Sequence, residues 1–101
     1  MSLDDIIRQL WHEHCDSALR LADELVALAS AAEPSIEARE RGHRAAHQLA
    51  GSLGMYGMAD GSELAGQLED HLLPGADASI DATEFARIAG NLRRVVLHGP
   101  R

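Results

Sequence analysis

The run Ala46-His47-Gln48-Leu49-Ala50-Gly51-Ser52-Leu53-Gly54-Met55-Tyr56-Gly57 sets an apolar stripe against a histidine. Wound at 3.6 residues per turn with the residues before it, it sends Ala38, Gly42, Ala45, Leu49 and Leu53 to one side and His47 nearly the opposite way. His47 is therefore expected to face solvent. Glu40, His43 and Arg44 share its polar face from the preceding turns, and Ala50, Gly51 and Gly54 from the turns that follow. A glycine inside a helix costs roughly 1 kcal/mol relative to alanine. Two of them next to an exposed histidine point to a bare surface on which another protein docks.

Outward from this run, the apolar spacing predicts four helical segments and no strand. Leu3, Ile6, Ile7, Leu10, Trp11, His14, Ala18, Leu21, Leu25, Val26 and Leu28 recur at three- and four-residue intervals, with Ser2 and Asp5 as the opening cap. Unbroken to about Ala31, that helix would be roughly 45 Å long at 1.5 Å per residue, so a break in two near His12 to Asp16 is expected. Pro34-Ser35 stops one helix and opens the next, which runs from Ile36 to about Leu53 and carries His47. Asp60 with Glu63 is expected to cap a third helix holding Leu64, Ala65, Leu68, Leu72 and Leu73, which Pro74-Gly75 ends. Asp81 with Glu84 is expected to cap a fourth, with Phe85, Ile88, Ala89, Leu92, Val95 and Val96 on its apolar face and Gly99-Pro100 as its stop. Short connections make neighbours antiparallel, so the expected fold is all-α, an up-down four-helix bundle.

Composition agrees. A chain of 101 residues supports one domain with one core. Aromatic residues are only 3% against 46% hydrophobic, so that core is built mainly from Leu, Ile, Val and Ala. The formal charge of −7 argues against nucleic acid or an anionic membrane as the main partner. All nine basic residues are arginine. Cys15 stands alone, which excludes an internal disulfide and suits a reducing, cytoplasmic setting. No apolar run approaches the ~20 residues that span a bilayer, and no signal peptide is evident.

Counted from His47, Leu49 at +2 and glycines at +4, +7 and +10 (Gly51, Gly54, Gly57), with Leu64, Leu68 and Glu69 downstream, resemble the signature of histidine-containing phosphotransfer (HPt) domains. The H-x-L-A-G form resembles modules of bacterial response regulators found beside receiver and diguanylate cyclase domains. The resemblance implies an HPt-like bundle with a short first helix before a longer one. It makes His47 the phosphoryl acceptor, response-regulator receiver domains the partners, and a diguanylate cyclase or kinase region a neighbour in a longer parent chain. A divalent metal and a lysine would belong to the receiver, and this domain would need no cofactor. Many HPt domains carry lysine at +3, where this chain has Ala50.

Imidazole suits the task, because its ordinary pKa of ~6.5 leaves a free ring nitrogen at neutral pH. Transfer rests on positioning and charge, so a receiver must cover His47. Arg44, one turn earlier, is placed to offer its guanidinium to phosphoryl oxygens in place of the missing lysine. Gln48, Ala50, Gly51 and Gly54 complete the expected docking face. Such a carrier is consumed and regenerated stoichiometrically, with no ATP site, and is not an enzyme.

Two other readings stand beside this one. The bundle could recognise a receiver without being phosphorylated, Ala50 marking lost transfer. Alternatively His43 and His47, one turn apart with Glu40 on the same face, could bind zinc, although two imidazoles are half of a structural site and no H-E-x-x-H occurs. Cys15 near His12 and His14 reads as a half-buried small residue, Trp11 as a core or end-of-bundle anchor, and Glu69-Asp70-His71 as the solvated end of the third helix.

Overall fold

Each described helix start is set by a polar cap or by a buried side chain. Ser2 Oγ accepts from the Asp5 amide at 3.2 Å while the Asp5 carboxylate accepts from the Ser2 amide at 3.3 Å, a reciprocal box that opens α1 (Leu3–Ser30). Ser35, directly after Pro34, accepts from the Ala38 amide at 3.1 Å and opens α2 (Ile36–Met55). At the end of α2 the Met58 amide donates back to Leu53 O at 2.9 Å over Gly57, whose φ of +75° favours glycine. α3 (Ala59–His71) and α4 (Ala82–His98) complete the chain in this computed structural model, which describes residues 2–73 and 82–100.

The helices form the expected antiparallel four-helix bundle, in which α1 and α3 each pack against both α2 and α4. The body is a rod of 48 × 21 × 19 Å. Leu25, Leu49, Leu53, Leu68 and Leu92 are fully buried, and Ala18, Ala22, Ala46, Ala65 and Ala89 fill the places between them. Small side chains let helix axes come close. Gly42 takes this furthest: a Cβ there would stand 2.5 Å from Leu28 Cδ2. Trp11 closes one end of the core, edge-on to Tyr56 with ring centres 5.3 Å apart. The Gly99 backbone comes so near that an added Cβ would lie 2.9 Å from Trp11 Nε1.

Several expectations need correction. α1 is continuous for 28 residues, with no break near His12 to Asp16. Trp11, Ala18, Ala22 and Leu25 bury in succession along it, so no point favours interruption. Because Trp11 and His14 already meet Tyr56 at the end of α2, the first two turns of α1 overrun that helix. Leu3, Ile6 and Leu10, read as core, are accordingly exposed. α3 begins at Met58, which makes no side-chain cap. Burial of Met58 fixes where the chain turns, which leaves Asp60 inside the first turn, where its charge still suits the helix dipole. Glu84 accepts from Arg87 Nε at 3.0 Å. Its expected cap partner Asp81 and the Pro74-Gly75 stop lie outside the described residues.

Candidate functional site

His47 stands past the middle of α2, anchored by Ala45, Ala46 and Leu49, all buried on the helix's inner side. Its own side chain is 73% exposed. Glu69, on α3 one residue after buried Leu68, reaches across the seam and places Oε2 2.8 Å from His47 Nδ1. A carboxylate only accepts, so His47 donates from Nδ1 and carries its proton there. The lone pair is then on Nε2, at the outer edge of the ring. A histidine held this way is oriented, tautomerically defined and open at its nucleophilic nitrogen.

The same Glu69 oxygen lies 3.9 Å from His43 Nε2, a nitrogen shielded from solvent and without a hydrogen-bond partner. His43 thus turns inward beside the carboxylate while His47 turns outward. Among the described residues no group of three or more His, Cys, Asp or Glu side chains is placed to hold a metal ion. Cys15, half-buried, donates to His12 O at 3.4 Å.

The other expected site residues divide into two flanks. Arg44 and Gln48 are exposed on the side of α2 toward α1, and Arg44 has no ion pair or hydrogen bond among the described residues. Gly51, also exposed, has nothing within 4 Å of where a Cβ would be. Ala50 and Gly54 lie toward α3. The Ala50 carbonyl accepts from Ser62 Oγ at 2.7 Å, and a Cβ on Gly54 would stand 3.4 Å from that same oxygen. Gly54 therefore borders the α2–α3 seam, where an added Cβ would make ordinary van der Waals contact with Ser62. The residues taken as the solvated end of α3 separate likewise: Glu69 serves His47, Asp70 is exposed, and His71 meets the Phe85 ring edge of α4. Glu69 had entered the sequence reading through the family resemblance and as a solvated charge at the end of the third helix, not as a partner of His47. The available signal was its seven-residue spacing from Ser62, which puts both on the α2-facing side of α3. A concavity of about 650 Å³ lies at the end of the rod between Asp4, Tyr56 and Arg94 and excludes His47.

The family model described as Hpt domain matches residues 5–97. The chain belongs to the Hpt domain family. No curated protein and no solved structure matches it. Hpt domains carry out histidine phosphotransfer in phosphorelay signalling, as phosphocarriers and not catalysts, and they interact with response-regulator receiver domains. No helix among the described residues of this Hpt domain is long and apolar enough to cross a membrane.

Proposed function

We propose that His47 is the phosphoryl acceptor of this Hpt domain, taking the group from a receiver-domain aspartate and passing it to another. The observation that carries this is the 2.8 Å contact between Glu69 and Nδ1, which leaves Nε2 as the free nucleophile on an exposed ring. The Nε2 lone pair forms the N–P bond as the P–O bond to the aspartyl carboxylate breaks, and the carboxylate leaves with that electron pair. The ring gains positive charge as this happens. Glu69, already on Nδ1–H, stabilises that charge without having to move. In the reverse step an aspartate oxygen takes the phosphorus and the electron pair returns to Nε2.

Arg44, on the open flank, is the cation nearest in sequence that is free to meet phosphoryl oxygens, and Gln48, Ala50, Gly51 and Gly54 frame the ring. We read the chain as a bacterial, cytoplasmic module, either standing alone or joined to a diguanylate cyclase or kinase region. Ala50 favours a second reading, a docking module that is not phosphorylated, since the position where many relatives carry lysine here supplies only a methyl group and a carbonyl bonded to Ser62.

One experiment addresses both. Labelled phospho-receiver domains are incubated with the wild-type chain and with His47→Gln, and the product is tested for acid-labile, alkali-stable phosphate. Label on the wild type alone supports the relay; binding without label on either supports the docking module.

A further inference from the structure

A receiver that reaches Nε2 of His47 cannot contact the ring alone. A stable interface covers ~800 Å² on each partner, equivalent to a disc roughly 16 Å in radius. From His47 that footprint can spread toward α3 or toward α1, and the two sides differ in chemistry. The α3 flank presents Glu63, Gly66 and Asp70 beside Glu69, and α3 carries no exposed large apolar side chain. On the other flank Met55, on the Arg44–Gln48 side of α2 and roughly 12 Å along the helix from His47, is 82% exposed. Where α1 overruns α2, Leu10 and Ile6 are 48% and 41% exposed, with exposed Glu13 one turn on. His14 and Trp11 of α1 pack on Tyr56, the neighbour of Met55, which brings these side chains to one end of one face. Interface centres are depleted of acidic residues and enriched in methionine and aromatic groups.

We propose that the receiver docks asymmetrically, over the α1–α2 face, with Met55, Leu10 and Ile6 as its apolar anchors and Arg44, Gln48 and Gly51 between them and the histidine. This rests on His47 being the group the receiver must reach. Glu69 then stays at the rim of the contact, holding the ring from the side the partner leaves open.

The test uses the full chain, labelled with ¹⁵N, and a panel of receiver domains loaded with Mg²⁺ and beryllofluoride. Amide shifts are expected along the first half of α1 and the second half of α2. Met55→Glu and Leu10→Glu, both at exposed positions, should each weaken binding by about tenfold, whereas Asp70→Ala and Glu63→Ala should change it less than about twofold. Shifts concentrated on α3, unchanged affinity of the two glutamate variants, or no binding by any receiver would each overturn the proposal. So would sedimentation showing that these variants lose only self-association, which would assign the patch to a second copy. Label persisting on His47→Gln would instead sink the acceptor assignment. A footprint on α3 with label confined to wild type sinks the docking face alone.

Discussion

Glu69 of α3 holds the Nδ1 edge of His47 of α2 at 2.8 Å, so this exposed ring is oriented by a helix it does not belong to. Removing the carboxylate frees the ring about its χ angles and lets both tautomers form. Glu69→Ala should therefore slow phosphoryl transfer by roughly tenfold to a hundredfold, with Glu69→Gln between it and wild type, because an amide oxygen still accepts the Nδ1–H bond. Rapid-quench kinetics give the rates, and ¹⁵N shifts of the imidazole report the tautomer. Wild-type rates in Glu69→Ala would show that the contact does not position the ring.

Arg44 has no partner among the described residues and is one turn from His47. If its guanidinium meets the phosphoryl group, Arg44→Ala should shorten the lifetime of phosphohistidine several-fold and leave the fold intact. The hydrolysis half-life of the isolated phosphorylated domain is the measurement. An unchanged half-life would mean that the position of Ala50 goes uncompensated from this side.

The glycines separate into two kinds that substitution should tell apart. Gly51 has open space above it, so Gly51→Ala should raise stability by about 0.5–1 kcal/mol, while Gly51→Leu should obstruct the receiver. Gly61 is buried, and a Cβ there would meet Leu53 Cδ1 at 2.9 Å and Val95 Cγ1 at 3.0 Å. Valine cannot readily swing away. Gly61→Ala should cost about 1–3 kcal/mol from overpacking, less what the helix gains. Thermal unfolding of the two alanine variants should move Tm in opposite directions.

Hydrogen bonds from the Arg87 guanidinium hold the Glu84 carboxyl below the ordinary carboxylate range, with the guanidinium's charge adding to the effect. Because the folded value lies below the unfolded one, the pair's contribution is fully present above the unfolded value. It is lost as pH falls through the folded one. Both groups are exposed, so the effect on overall stability should be small. A carbon-detected titration should place the Glu84 midpoint below that of free glutamate, and Arg87→Gln should return it.

The bundle was legible because its signals are local and periodic: the stripe from Gly42 to Leu53, the Ser2–Asp5 box and the Pro34-Ser35 boundary all act within a few residues of themselves. His47 was legible for the same reason, since its exposure follows from the residues opposite it on one helix. What escaped depended on how helices end against one another. Leu3, Ile6 and Leu10 continue a faultless apolar period, but α2 stops at Met55, so they are left exposed. Met58 starts α3 by being buried, which no capping pattern reveals. Glu69 looked like a solvated charge because its partner is on another helix.

The helices pack as a closed ring, and among the described residues the backbones of neither diagonal pair come close. α4 therefore lies across the core from α2, and the His47–Glu69 contact is made by α2 and α3 alone. Its outer surface is a handle: a fluorophore, tag or tether fixed at exposed Ala86 would ride on the module without intruding on its exchange of phosphate. The same insulation leaves the exterior of α4 free to drift in sequence, so long as Phe85, Ile88, Leu92 and Val96 keep facing inward.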